Sequence, residues 1–260
     1  MKGSFLFLGT GGSAGIPEIG CKCSICASSS ERNKRLRSSG LVQVAGRNFL
    51  IDSGPDFRLQ ALKHKIDRID GLLLTHTHYD HIGGIDDLRI FYIRSRKAIP
   101  CLLSKESYEE LTKRYYYFFQ SKKDEASLTA QLDFQILPNH LGETEFAGIR
   151  VGYCTFFQGE MKVTGFRIGD FAYVSDIRQY DDSIFSALKG VRHLVLSSLK
   201  PEGSVFHFSF EEVIEFGKRA GAQHTWITHL GHFADHEEAN ALLPPEVQLA
   251  YDGLEVEFHY

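Results

Sequence analysis

The chain has 260 residues, 43% hydrophobic and 24% charged, with a formal net charge of −4. That balance excludes a disordered or collagen-like polymer, and the acid excess supplies no global basic field to hold nucleic acid. Twelve histidines and five cysteines stand out, and both kinds are clustered.

Lys2 precedes only a short apolar stretch, Phe5 to Leu8, before glycines begin; an export signal needs an apolar core of roughly 7–15 residues. No apolar run reaches the roughly 18–20 residues that cross a bilayer. The cysteine number is odd, and Cys21, Cys23 and Cys26 crowd one loop. Reduced thiols and a cytoplasmic location are the expectation, with no membrane partner.

Ser4 to Gly9 reads as a short strand. Leu41 to Val44 and Asn48 to Asp52 read as a hairpin turning at Ala45-Gly46. Ile69 to Thr75 is apolar at nearly every position and predicts a buried strand. Ile82 to Ser95 and Ser104 to Gln120 carry helical patterns. Ile149 to Phe157, Lys162 to Ile168 and Phe171 to Ser175 follow as strands, then a short helix at Asp182 to Lys189 and a strand at Val191 to Leu199. Ser209 to Ala220 is an amphipathic helix, with Phe210, Val213, Ile214 and Gly217 at helical spacing. His224 to Thr228 and Leu254 to Tyr260 close the series. Two β-rich halves, each finished by helices, predict an α/β protein of αββα sandwich type, a single domain over residues 1–260 with no linker or repeat.

Some features read as bland. Gly9 to Ala14 fits a loose G-x-G-x-x-A pattern, but Gly15, Pro17 and Gly20 follow and no useful helix can start there, so a dinucleotide site is rejected. Arg32, Lys34, Arg35 and Arg37 alternate with Glu31 and Asn33 and read as a solvated loop. Tyr115 to Phe119 reads as a helix packing face. Cys101 and Cys154 sit in apolar surroundings and read as inert core residues.

The strong signal is His76-Thr77-His78-Tyr79-Asp80-His81, set between an apolar strand and Gly83-Gly84. Imidazole and carboxylate are the usual nitrogen and oxygen ligands of Zn²⁺ and related ions. In an extended loop His76 and His78 point the same way, while Asp80 and His81 can reach a second ion. This H-x-H-x-D-H motif resembles the metallo-β-lactamase superfamily, whose members hydrolyse esters, amides and phosphodiesters with one or two metals. The resemblance implies that Asp52, in Asp52-Ser53-Gly54-Pro55-Asp56, supports the metal-site loop. It further implies Asp176 as a bridging carboxylate and His229 as the last histidine ligand.

Cys21-Lys22-Cys23-Ser24-Ile25-Cys26 offers three thiolates, one donor short of a closed tetrahedral zinc set. His232 lies three residues after His229, so one histidine can face each of two neighbouring sites. This combination is similar to the phosphoribosyl 1,2-cyclic phosphate phosphodiesterases of phosphonate catabolism and their relatives. That likeness implies Cys21, Cys23, Cys26 and His232 for a structural zinc. It also implies His207 beside the substrate phosphate, as general acid or phosphate-binding group, with Asp80 in the catalytic set.

One position departs from the superfamily pattern. Where a histidine ligand is expected before Asp176, the chain has Gln158, and His140 lies too far upstream to replace it. A glutamine carbonyl is a weaker, harder ligand, better suited to Mn²⁺ or Mg²⁺ than to Zn²⁺. The expectation is therefore one structural Zn²⁺ and one or two Zn²⁺ or Mn²⁺ ions in the active site. The expected function is a phosphodiesterase acting on a small cyclic or nucleotide-like phosphate ester through a metal-activated water. Alternatives are hydrolysis of another ester, thioester or lactone bond, an RNA-processing nuclease, and a weakened metal-binding or sensor protein. A small phosphate-ester substrate is the expected partner, nucleic acid is disfavoured by charge, and a homodimer is compatible with the reading.

Overall fold

A computed structural model describes residues 1–120 and 129–260. The first strands in chain order are β1 (Lys2–Gly9), β2 (Ser39–Val44), β3 (Arg47–Ile51), β4 (Gly71–Leu73), β5 (Ile99–Leu103), β6 (Leu132–Ile136) and β7 (Leu141–Phe146). The rest are β8 (Ile149–Gln158), β9 (Met161–Ile168), β10 (Phe171–Val174), β11 (His193–Ser197), β12 (His224–Thr228), β13 (Val247–Leu249) and β14 (Glu255–His259). They form two seven-stranded sheets, in the orders β14-β1-β2-β3-β4-β5-β6 and β13-β12-β11-β10-β9-β8-β7.

Successive side chains of a strand point to opposite faces, and here both faces are apolar. Phe5, Phe7, Val42, Phe49, Ile51 and Leu73 of the first sheet meet Val151, Phe166, Phe171, Tyr173 and Val195 of the second in a shared core. The alternate residues Leu8, Leu41, Leu50, Leu72 and Leu74 face outward. There they are covered by α1 (Phe57–Lys63), α3 (Arg89–Ser95) and α4 (Lys105–Arg114), which follow or precede the one-turn helix α2 (Tyr79–Ile82). Ala172, Val174, Leu194 and Leu196 do the same on the second sheet. They lie under α6 (Ile184–Ala187), α7 (Phe210–Ala220) and α8 (His236–Leu242), the last two elements coming after the short α5 (Tyr117–Gln120). The expected αββα sandwich is the observed fold.

The hairpin turns where predicted, with Ala45 and Gly46 at φ 51° and 68°, the left-handed pair of a type I′ turn whose twist suits the strands. Strands β3 to β6 are mutually parallel, as are β10 to β13. Their carboxyl ends therefore share one rim of the sandwich, the place where open α/β sheets build sites.

Several sequence readings need correction. The helix predicted over Ile82 to Ser95 is three pieces: α2, a 3-10 turn at Ile85–Leu88, and α3. The break falls at Gly84, with φ −102° and ψ 7°, where the backbone runs so close to Gly54 that a Cβ would lie 2.0 Å from its carbonyl oxygen. The helix predicted over Ser104 to Gln120 breaks at Tyr115, with φ −111° and ψ 40°. Tyr115 and Phe118 turn inward there, but Tyr116, Tyr117 and Phe119 stay largely exposed, so the aromatic run is only half a packing face. Arg35 is not solvated: it is 1% exposed, drawn in towards the carboxylates of Asp252 and Asp235. Strands β5, β6, β7 and β13 and helices α1 and α8 were not anticipated. The polar alternation of β7, Leu-Gly-Glu-Thr-Glu-Phe, belongs to a sheet edge with one wet face. Cys101 and Cys154 are buried as expected. No helix of the described residues is long and apolar enough to cross a membrane.

Candidate metal centre

β4 leads directly into Thr75 and His76, and α2 starts at Tyr79 with His78 at its N-cap. Asp80 and His81 therefore sit on the first turn of that helix, while His76 and His78 lie in the extended segment before it. Three strand ends bring in the remaining groups. Asp52 follows β3, Asp176 follows β10 and His229 follows β12; their φ values are 58°, 60° and 58°. Left-handed backbone at non-glycine residues costs on the order of 1–3 kcal/mol each, and such strain clusters where side chains must be aimed. The loop after β3 can lie against α2 only because residue 54 is glycine: a Cβ there would meet the carbonyl oxygen of Asp80 at 2.1 Å.

The donors converge. His81 Nε2 lies 3.5 Å from Asp80 Oδ2 and 3.3 Å from Asp176 Oδ2. His229 Nε2 lies 3.2 Å from Asp80 Oδ2 and 3.3 Å from Asp176 Oδ1. Ligands held at about 2.0–2.2 Å around a tetrahedral ion are separated by about 3.3–3.5 Å. Three of the four distances fall in that range, and the His229–Asp80 contact is just shorter, at 3.2 Å. His76 Nε2 and His78 Nδ1 face each other at 3.0 Å. His76, His81 and Asp176 form a second converging group, and Asp176, His207 and His229 a third.

The electrostatics also ask for a cation. Asp52, Asp80 and Asp176 are buried, and their ion-pair partners among the described residues are all histidines. Burial resists the charge of Asp80, but the His81 and His229 imidazoles outweigh it and hold the carboxyl far below the carboxylate range. Asp176 is depressed in the same way, by His229, His81 and His76 against its burial. His81 feels the reverse: burial opposes its charge, and Asp80, Asp52 and Asp176 together raise it. Its Nδ1 donates to Asp52 Oδ2 at 2.7 Å, while its buried Nε2 has no hydrogen-bond partner among the described residues. An unpartnered imidazole nitrogen between two carboxylates fits a metal ligand.

Backbone and hydroxyl groups hold these carboxylates. Asp52 accepts the Thr75 N–H at 2.8 Å and its hydroxyl at 2.7 Å. The Asp176 N–H donates to Ser197 Oγ at 2.6 Å, and Ser175 Oγ donates to Asp176 Oδ2 at 2.7 Å. Sequence reading missed both serines, which carry no motif beyond standing at strand ends.

A cavity of 590 Å³ opens over the centre, lined by His78, Asp80, Gln158, Asp176, His207 and His229, with Ser13, Glu160, Met161 and Phe206 around them. Gln158, at the end of β8, lines the cavity and is 7% exposed. Its Nε2 donates to Asp176 Oδ1 at 2.9 Å. His207 is brought here by the turn before α7, whose start is fixed by a reciprocal capping box between Ser209 and Glu212. Its Nδ1 lies 3.9 Å from Asp176 Oδ1. Burial first, then the neighbouring His229, push its pKa down to about 4. His140 is exposed and outside the cavity lining.

A second group stands apart. His232 Nδ1 lies 3.3, 3.7 and 3.4 Å from the sulfurs of Cys21, Cys23 and Cys26. Metal–sulfur and metal–nitrogen bonds of about 2.3 and 2.05 Å place those atoms about 3.6 Å apart in a tetrahedron. The Cys26 N–H points to Cys23 Sγ and the Glu18 N–H to Cys26 Sγ, at 3.4 and 3.3 Å. Glu18 Oε2 lies 3.4 Å from the other ring nitrogen of His232, the outer carboxylate that metal-bound imidazoles favour. Glu18 was not singled out in the sequence, although it stands three residues before Cys21.

Comparison with known proteins follows the same lines. The solved structure of a diphosphatase from the PhnP family superposes with a TM-score of 0.90 at 34% identity, covering 99% of this chain and 98% of that one. Zn²⁺-bound PqqB from Methylobacterium extorquens shares the fold, with a TM-score of 0.74 at 18% identity over 97% of this chain and 99% of the other. Among curated proteins, an octanoyltransferase of Porphyromonas gingivalis is 32% identical over 253 residues, 96% of this chain and 50% of that protein. The anti-Pycsar protein Apyc1 of Bacillus phage 010DV004 is 35% identical over 83 residues, 30% of this chain and 32% of its own length. The chain thus spans half or less of the curated relatives it matches. The profile of the β-lactamase superfamily domain matches residues 47–230. With two helix-flanked sheets and the histidine-carboxylate cluster on their common rim, the chain belongs to the β-lactamase superfamily domain family and has the metallo-β-lactamase fold.

Proposed function

We propose that the protein is a metal-dependent hydrolase of phosphate esters, a phosphodiesterase acting on a small cyclic or nucleotide-like substrate. The observation that carries this reading is the placement of His207. A neutral imidazole lines the same cavity as the donor cluster, close to Asp176 and on a different loop from every other donor. It can donate its N–H as a hydrogen bond to a phosphoryl oxygen or to the leaving oxygen. The likeness to a PhnP-family diphosphatase over nearly the whole chain supports phosphorus as the reacting atom.

His76, His78, Asp80, His81, Asp176 and His229 would hold the divalent ions, Zn²⁺ or Mn²⁺, with Gln158 beside them. Such ions supply a water that ionises near neutral pH and offset phosphoryl charge. Asp52 and Thr75 hold the ligand loop, and Ser175 and Ser197 hold Asp176. Phe206 and Met161 give the cavity an apolar lip for the organic part of the substrate. Cys21, Cys23, Cys26 and His232 would hold one closed structural zinc.

The test is a panel with Zn²⁺ or Mn²⁺: bis(p-nitrophenyl) phosphate, a 2′,3′-cyclic nucleotide, a nucleoside diphosphate conjugate and an acyl thioester. Phosphorus esters should turn over well above background, and His207→Ala, which removes a hydrogen-bond donor to developing charge, should lower their kcat about 100-fold. Preferred turnover of the thioester, or background rates throughout, would contradict the proposal.

A further inference from the structure

Gln158 carries a consequence for how this centre fills. Asp80, His81 and His229 converge as one three-donor group, and Asp176 stands 3.3 Å from both imidazoles, through Oδ2 to His81 and Oδ1 to His229. The pair His76 and His78 has no such complement. Among the described residues, the three-donor groups of the centre include His76 once and His78 never. The side chain lining the cavity with His78 that could complete the pair is Gln158. Its amide is already engaged, donating to Asp176 Oδ1 at 2.9 Å and lying 3.4 Å from both ring nitrogens of His207.

An amide gives up its carbonyl to a borderline-soft ion less readily than an imidazole gives its nitrogen. It also carries no charge. Two neutral imidazoles and a carboxylate already shared with the tight set leave an ion at His76–His78 short of both ligands and negative charge. A phosphoryl oxygen entering the cavity supplies both.

We infer that Gln158 makes the centre asymmetric: one ion is held permanently by Asp80, His81, Asp176 and His229, while His76–His78 is a weak subsite that fills together with the substrate phosphoryl group. This rests on the phosphate-ester reading for the nature of the ligand. By linkage, an anion that binds the second ion must tighten that ion by the same factor as the ion tightens the anion. The Gln158 amide keeps its role as donor, holding Asp176 and facing His207.

The experiment counts metal rather than product. Wild type and Gln158→His are dialysed against micromolar Zn²⁺ with and without inorganic phosphate, and bound ions per chain are measured, with Cys23→Ser to subtract the cysteine set. Wild type should keep one ion in the centre without phosphate and two with it, its second-ion affinity rising about tenfold or more. Gln158→His should keep two ions in either condition, with a smaller response to phosphate. Two tightly held ions in wild type without phosphate, or indistinguishable stoichiometry in the two proteins, would overturn the inference. Should no phosphate ester be hydrolysed while these counts hold, the substrate reading falls and the asymmetry stands.

Discussion

His81 donates its Nδ1–H to Asp52 Oδ2 at 2.7 Å, and both side chains are fully buried. Asp52 is not among the converging donors, yet it decides which nitrogen His81 presents to them. A carboxylate on one ring nitrogen fixes the tautomer, aims the other nitrogen and raises its basicity. The same carboxylate ties down Thr75, so one residue orients both ends of the histidine segment.

Asp52→Asn isolates that effect, because asparagine tolerates the left-handed backbone of position 52. It should weaken metal binding in the centre about 10–100-fold and leave the ion of the cysteine set untouched. Competition with a chromogenic chelator reads both affinities in one titration. An unchanged affinity in the centre would mean that Asp52 serves the fold only.

The cysteine set should behave as an independent unit. Cys23→Ser leaves three donors where a closed tetrahedral site wants four, so bound zinc should fall by about one ion per chain. Structural zinc contributes folding energy outright, and the melting temperature should fall by several degrees. Zinc content and calorimetry on the purified variant check both.

Asp80→Asn makes the complementary cut. Asp80 Oδ2 touches both His81 and His229, so losing its charge should abolish turnover while the zinc of Cys21, Cys23, Cys26 and His232 stays in place. Loss of both ions would show that the two sites are one cooperative unit.

His236 governs part of the acid stability. Its ring is 2% exposed and packs edge-on against Tyr251 at 5.6 Å. Burial first, then the guanidinium groups of Arg35 and Arg32, push its pKa down to about 4. A histidine depressed in the folded state must take up a proton on unfolding, so stability is lost as pH falls from about 6.5 towards 4. Between pH 7 and 5 this removes about 1–2 kcal/mol. His236→Phe keeps the ring contact and removes the titration. Its stability by urea unfolding should fall less than that of wild type over the same interval; parallel curves would contradict the assignment.

How much of this was legible follows from the range of each signal. His76 to His81 and the three loop cysteines announce themselves because their chemistry is packed into six residues. The αββα layering is legible because strands such as Phe5 to Leu8 are apolar on both faces, which requires cover on both sides. Asp176, His207, His229 and His232 are single residues whose meaning depends on strand ends meeting in space, and only family resemblance pointed to them. The reading of Arg35 as solvated fails since a charge run on the sequence does not show that this one side chain is buried, in the field of the Asp252 and Asp235 carboxylates. The need for glycine at position 84 comes from the distant backbone of Gly54, and no local pattern encodes that contact.

The central claim is that water adds to phosphorus under the control of this centre. Metal-loaded protein hydrolysing bis(p-nitrophenyl) phosphate in ¹⁸O-labelled water tests it directly, with product masses recorded. The account predicts label in p-nitrophenyl phosphate, none in p-nitrophenol, and no labelled product from Asp80→Asn. Label in p-nitrophenol, or equal labelled product from wild type and Asp80→Asn, would contradict it.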